Sequence, residues 1–89
     1  MATMFVHHKV TDFAAWKQVY EGFMPAARGM SLTAEAVYQA ADDPNDVTVT
    51  HEFPTVEAAL AFGASDALHA AMDKAGVVGA PTVWIANKA

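Results

Sequence analysis

The residues of this chain best suited to chemistry are its histidines, two of which stand side by side in the stretch MFVHHKV, residues 4–10. An imidazole titrates near neutral pH and therefore suits general acid–base catalysis. A third candidate, His51, stands in the stretch DVTVTHEF. Successive residues of a strand point to opposite faces. If MFVHHKV is a strand, His7 and His8 must therefore meet different surroundings.

The more apolar face of this strand carries His8. That face also holds Met4, Val6 and Val10, whereas the other holds Phe5, His7 and Lys9. We therefore expect the His8 face to pack against helices. His51 lies on the apolar face of its own strand, so antiparallel pairing would place His8 and His51 in one layer, about one diagonal apart. The His7 face would then form the opposite layer, which we expect to be a dimer interface.

Aromatic side chains are candidates for a substrate pocket around these imidazoles. In the predicted first helix they recur at three- and four-residue spacing, which places them on one helical face. Rings in such positions would cover His8 and His51, shape a pocket and exclude water. A tyrosine in the second strand and a tryptophan in the last are further candidates, although such residues also pack well in strands and cores. The five candidates are Trp16, Tyr20, Phe23, Tyr38 and Trp84.

The sequence predicts neither a metal site nor a nucleotide site. His8 and His51 supply only two ligands on one layer, fewer than a zinc site needs. His69 has acidic residues three positions before and four positions after it, which is typical of a solvated helix face. No Gly-rich phosphate loop and no Gly-x-Ser-x-Gly elbow occurs. An enzyme built from these residues is expected to work without a bound cofactor.

Composition narrows the class of protein. The 89 residues are expected to form one domain, 1–89, and the hydrophobic fraction of 54% leaves an apolar surplus that favours a homodimer. A net charge of -5 without a basic stripe argues against nucleic acid as a partner. The absence of cysteine excludes disulfides and thiolate catalysis and favours the cytoplasm. The start MATMFVHHKV lacks signal-peptide features, and no apolar run is long enough for a membrane span.

The first half of the chain predicts two strands around a helix. The first strand is expected over residues 3–9. A helix capped by Thr11 or Asp12 follows, with a kink or break near Gly22 and Pro25 and an end at Gly29. A second strand is expected over residues 31–40.

The second half begins with the turn signal ADDPND, residues 41–46, and a clear strand over residues 46–53. The stretch 54–76 is helical, and Gly63 and Ser65 suggest two segments. Its cap and its buried candidates are Thr55, Leu60, Leu68 and Met72. Residues 77–81 are expected to form a loop and residues 82–87 the last strand.

The order β-α-β-β-α-β predicts an α+β fold. Right-handed crossovers and a central hairpin favour a ferredoxin-like, four-stranded antiparallel sheet with both helices on one face. The first and third strands are then central neighbours. The open face of the sheet must meet water or a second sheet.

Several stretches together resemble a known family. HHKVTDFAAWKQVYEGF, DDPNDVTVTHEF, VEAALAF and SDALHAAMDKAGVVGAP run in the order and spacing of the small dimeric α/β-barrel proteins, which include antibiotic biosynthesis monooxygenases and small cyclase-like proteins. The resemblance implies a ferredoxin-like subunit, two of which pack their sheets face to face into a barrel. It also implies a small-molecule substrate held between sheet and helices. Because this superfamily supports several reactions on one scaffold, the fold does not name the reaction.

Four interpretations of function follow. In the first, His8 or His51 takes a proton from a phenol or enol of an aromatic or polyketide-like substrate, and the carbanion then reacts with oxygen, cyclises or isomerises. In the second, the same pocket carries a small molecule without chemistry. In the third, the chain binds haem through His8 or His7. In the fourth, the scaffold carries an activity selected by engineering. We expect the first.

Overall fold

Four strands pair into one antiparallel sheet in this computed structural model, which describes residues 1–89. The strands are β1 (Ala2–Val10), β2 (Ala34–Ala40), β3 (Asp43–Phe53) and β4 (Val77–Asn87). The helices are α1 (Phe13–Arg28), α2 (Val56–Gly63) and α3 (Asp66–Lys74). The sheet order is β2-β3-β1-β4 and every pair is antiparallel. The expected ferredoxin-like architecture, with β1 and β3 as central neighbours, is confirmed.

Helix α1 runs without interruption from Phe13 to Arg28, so of the kink or break expected near Gly22 and Pro25 the break is wrong. The helix begins after Asp12, whose carboxylate accepts a hydrogen bond from the Ala15 N–H at 3.1 Å. Pro25 lies in the last turn, and residues on either side of it, Met24 and Ala27, are buried. Packing of that face offsets the backbone hydrogen bond that proline cannot donate.

The second helical region consists of two segments, as expected. The Thr55 hydroxyl caps α2 and the Ser65 hydroxyl caps α3, each accepting a hydrogen bond from a backbone N–H three residues later. The expected burial of Leu60 is wrong, because its side chain is exposed. Ala59 and Phe62 face the sheet instead. Residues three apart share a helical face, and Leu60 points away from that face.

The turn expected over residues 41–46 is shorter than its composition suggested. Only residues 41–42 form the turn, and β3 starts at Asp43 and includes Pro44. The pairing of β2 with β3 shifts register after Gln39, and Pro44 lies in this bulge, where a missing backbone donor is tolerated. The Asn45 side chain accepts a hydrogen bond from the Phe13 N–H at 2.9 Å, which ties the bulge to the start of α1.

The loop expected over residues 77–81 is also wrong, because this segment is the first part of β4. Its pairing with β1 shifts register: His7 is opposite Thr82, whereas Lys9 is opposite Val78. Residues 79–81 therefore bulge opposite the single residue His8. Gly79 supplies the positive φ of 71° that this bulge contains. Pairing with a central strand thus overrides the turn-like composition.

The core lies between one face of the sheet and the three helices. Its largest fully buried side chains are Met4, Val47, Val49, Phe53 and Phe62. The apolar alternation of β1 and β3 places the four strand residues of this set on one face, because neighbouring residues of a strand point apart, and Phe62 packs onto that face from α2. We call this the helix face and the other the open face. No helix in the structure combines the length and the apolar character that a membrane span requires.

Candidate functional site

A cavity lies between the helix face of the sheet, α1 and α3. It contains about 720 Å³ of empty space, part of it open to solvent. Its lining is mostly apolar, and its polar side chains are His8, Tyr20, His51 and His69.

His8 lies in this cavity with no hydrogen-bond partner. Its side chain is 7% exposed, and neither ring nitrogen is bonded to another group of the protein. Its ring is tilted against Trp16, with 5.7 Å between ring centroids. Burial, with a smaller effect of the neighbouring His7, lowers the pKa of His8 below its usual 6.5. The β4 bulge lies beside it, and bulges are frequent next to functional sites.

His51 lies further along the same cavity and is only 4% exposed. Its Nε2 is 3.1 Å from the hydroxyl of Tyr20, and its Nδ1 has no partner. The two rings are stacked, with centroids 5.9 Å apart. Burial lowers the pKa of His51 to about 4, against an opposing effect of Glu35. At neutral pH both His51 and His8 are therefore neutral imidazoles, each with a lone pair available.

Tyr20 joins His51 to the edge of the sheet. Its hydroxyl donates a hydrogen bond of 2.6 Å to Glu35 Oε2. Burial, and then the hydrogen bond and negative charge of Glu35, raise the pKa of Tyr20, so the phenol stays protonated. Glu35 is directly opposite His51 in the β2–β3 pairing, which places both on the helix face.

The separation of the two imidazoles differs from the expectation. His8 and His51 share the helix face, but His8 pairs with Val47 and His51 pairs with Met4. They are thus offset by four residues, about 13 Å along the strand, rather than by one diagonal. Trp16 and Tyr20 fill the interval, stacked with their ring centroids 4.8 Å apart. The two histidines therefore form two separate polar positions in one cavity.

The structure brings together three of the five expected aromatic residues. Trp16, Tyr20 and Phe23 line the cavity. The expectation that Trp84 and Tyr38 line it is wrong. Both lie on the open face, because alternation along their strands directs them away from the helices.

On the open face, Trp84 is 46% exposed and stacks on Phe5, with ring centroids 5.1 Å apart and planes at 6°. Tyr38 is 58% exposed and is opposite Thr48. His7 shares this face, as expected, and its Nε2 is 2.5 Å from Asp46 Oδ1. His7 is therefore remote from the cavity.

Sequence reasoning missed two polar residues of the site. Glu35 could have been found from strand alternation, since it shares a face with the partly buried Val37 two residues later. His69 is exposed, as a solvated helix face predicts, and it also lines the cavity. Its place one helical turn before Met72, another lining residue, was the available signal. No group of three metal-ligating side chains converges here or elsewhere in the structure.

Comparison with solved structures establishes the fold. A Bordetella bronchiseptica protein named as an antibiotic biosynthesis monooxygenase is 14% identical, with a TM-score of 0.85 over 99% of this chain and 96% of that chain. SnoaB, a cofactor-independent oxygenase from Streptomyces nogalater, is 9% identical, with a TM-score of 0.82 over 99% of this chain and 92% of that chain. A Nitrosomonas europaea protein also named as an antibiotic biosynthesis monooxygenase is 17% identical, with a TM-score of 0.78 over 99% and 98%.

No family model and no curated protein matches the sequence. At identities of 9–17% the structural matches establish shared architecture. The resemblance read from the sequence is thus confirmed at the level of the fold: the chain has the ferredoxin-like fold of the antibiotic biosynthesis monooxygenases.

Proposed function

We propose that this protein is a cofactor-independent enzyme that acts on a small aromatic or polyketide-like molecule, with a histidine in the cavity as general base. The observation that carries the proposal is the pair of buried imidazoles, His8 and His51, which line an apolar cavity and have ring nitrogens without a hydrogen-bond partner. Buried polar groups are normally hydrogen-bonded, and a catalytic role is one explanation of an exception. A similar fold in a cofactor-independent oxygenase, SnoaB, supports the reaction class.

The chemistry begins with a proton transfer. A neutral imidazole accepts a proton from an O–H or an acidic C–H of the bound substrate, which leaves a phenolate or enolate and an imidazolium. The apolar lining excludes water, so this ion pair attracts more strongly than it would in solution. The electron-rich substrate then reacts with oxygen as co-substrate, cyclises or isomerises. Both lowered histidine pKa values ensure that the base is unprotonated at neutral pH.

The size of the cavity supports a small-molecule substrate. Its empty space of about 720 Å³, part of it open to solvent, lies within the roughly 300–1,000 Å³ of ordinary ligand pockets. Trp16, Tyr20 and Phe23 present aromatic surfaces, which suit a flat ring. Of the two candidate axial ligands for haem, His7 lies on the open face against Asp46, and only His8 lies in the cavity.

We also propose that the open face pairs with the open face of a second copy, giving a homodimer. The Phe5–Trp84 stack lies on this face, and Tyr38 and Val78 add exposed apolar area. Monomeric proteins rarely expose contiguous apolar patches of this kind. The cavity lies on the other side of the sheet, so such a dimer would leave it accessible.

Binding without chemistry is the second candidate function, since the unpartnered nitrogens of His8 and His51 could simply hydrogen-bond a ligand. Deuterium exchange into 2-tetralone, a two-ring ketone with an acidic C–H beside its carbonyl, separates the two functions. In D2O, a general base removes that proton and deuterium returns, which NMR follows without any assumption about oxygen.

We expect the wild-type protein to accelerate this exchange and His51→Ala to lose most of the acceleration, with His8→Ala as the parallel test of the second imidazole. His7→Ala is the matched control, because its imidazole lies on the open face. Bound 2-tetralone that exchanges no faster than in buffer would refute the enzyme and leave the binding protein.

A further inference from the structure

The contacts around Tyr20 determine which nitrogen of His51 carries the proton. A tyrosine hydroxyl has one hydrogen to donate. A carboxylate oxygen can only accept, so the 2.6 Å contact with Glu35 Oε2 uses that hydrogen. The Tyr20 oxygen can therefore only accept in its 3.1 Å contact with His51 Nε2. Nε2 must then carry a hydrogen, and in a neutral imidazole the other nitrogen does not.

We infer that Tyr20 and Glu35 are positioning residues that hold His51 as its Nε2–H tautomer, so that Nδ1 is the atom that accepts the substrate proton. This inference rests on the proposed role of His51 as a base. Nδ1 is the His51 nitrogen without a hydrogen-bond partner, so no group of the protein engages its lone pair. Tyr20, itself hydrogen-bonded to the Glu35 carboxylate, thus orients the imidazole. Catalytic histidines are commonly oriented by a third group in this way.

The same contacts stabilise the product of the proton transfer. When Nδ1 accepts a proton, the ring becomes an imidazolium and Nε2–H becomes a stronger donor to the Tyr20 oxygen. The carboxylate of Glu35 lies one hydrogen bond further away, and its negative charge stabilises the positive charge of the imidazolium. His8 has neither contact, since both of its nitrogens lack a partner. The two histidines of the cavity are therefore not equivalent, and only His51 has a defined tautomer.

Glu35 can act on His51 through Tyr20 while its own charged carboxylate stays in contact with water. It is an exposed residue of the edge strand β2, and Tyr20 bridges it to the cavity. A second, more polar groove lies on the far side of this bridge and is lined by Glu35, Tyr20 and the charged residues Lys17, Glu21 and Arg28. Tyr20 thus lines both the apolar cavity and this groove, and Glu35 lines the groove alone.

Nitrogen NMR tests the inference without a substrate. The protein is labelled with ¹⁵N at its four histidines, and long-range ¹H–¹⁵N correlations at neutral pH identify the protonated nitrogen of each ring. His51→Gln assigns the resonance. We expect His51 in the wild type to favour Nε2–H by at least about tenfold, the factor that one charge-assisted hydrogen bond network supplies.

Substitutions of Tyr20 and Glu35 test the two hydrogen bonds separately. Tyr20→Phe keeps the ring and removes the acceptor, so the tautomer preference of His51 should be lost. Glu35→Gln keeps an acceptor but removes the charge, so the preference should fall several-fold. Glu21→Gln is the matched control: it removes the same charge in the same groove, without a bond to Tyr20, and should leave His51 unchanged.

A wild-type His51 protonated on Nδ1, or a preference that survives both Tyr20→Phe and Glu35→Gln, would overturn the inference. Because Glu35 is exposed, Glu35→Gln keeps the test valid even if Tyr20→Phe fails to fold. The proposed function fails separately, if the wild-type protein exchanges bound 2-tetralone no faster than buffer does while the tautomer is as inferred.

Discussion

Acidification should destabilise this protein through His51. The folded-state pKa of His51 is lowered from 6.5 to about 4 because its ring is buried. Between these values the unfolded chain binds a proton at this site and the folded chain does not. The free energy of unfolding is therefore fully retained above about pH 6.5 and is lost progressively as the pH falls toward 4.

The two pKa values give the magnitude. From about pH 7 to about pH 5, an unfolded histidine with a pKa of 6.5 becomes almost fully protonated, while a folded one with a pKa of about 4 stays mostly neutral. Integrating the difference gives a loss of about 2 kcal/mol from His51 alone. Against the total stability expected for a domain of this size, roughly 4–13 kcal/mol, this is a large fraction. His8 acts in the same direction, because its pKa is lowered too.

Urea denaturation at the two pH values measures the loss, with protein concentration and ionic strength held constant. His51→Gln removes the titrating group and still offers an amide N–H to Tyr20. We expect the wild type to lose about 2 kcal/mol more than His51→Gln over this pH interval. Equal losses in both proteins would refute the reasoning, since they would mean that His51 is not held neutral by burial.

Three further predictions concern the core, the open face and the two glycines with positive φ. Phe62→Ala should cost about 3–5 kcal/mol in urea denaturation, because this ring is 1% exposed; a cost below about 1 kcal/mol would contradict its packing. Trp84→Glu should shift light scattering from dimer to monomer; a wild-type monomer would contradict the proposed homodimer. Gly76→Ala should lower the melting temperature more than Gly79→Ala: both have positive φ, but only at Gly76 would the new Cβ lie 2.6 Å from the Thr11 hydroxyl. Equal effects would contradict this.

Alternation and helical periodicity were sufficient to predict the fold. The period-two pattern of β1 and β3 assigned His8 and His51 to the helix face, and the structure places both there. The three-and-four spacing of Trp16, Tyr20 and Phe23 likewise identified the helical face that lines the cavity. These patterns are reliable because a side chain's direction follows from backbone geometry alone.

The remaining features depend on pairing between elements, which local patterns do not encode. Pro44 and Gly79 lie in bulges of β3 and β4, although each residue by itself predicts a turn or loop. The register of the β1–β3 pairing determines the distance between His8 and His51. The orientation of α2 on the sheet determines that Leu60 points to solvent. Tyr38 and Trp84 were assigned by residue type rather than by face, and so were misplaced.

The central claim is that the cavity binds a small aromatic molecule beside His8 and His51. An NMR titration of the ¹⁵N-histidine-labelled protein with 2-tetralone tests it most directly, because His7 on the open face is an internal control. We expect the ring nitrogens of His8 and His51 to shift in a saturable manner while those of His7 stay constant. Shifts confined to His7, or none at all up to the solubility of the ketone, would contradict the account.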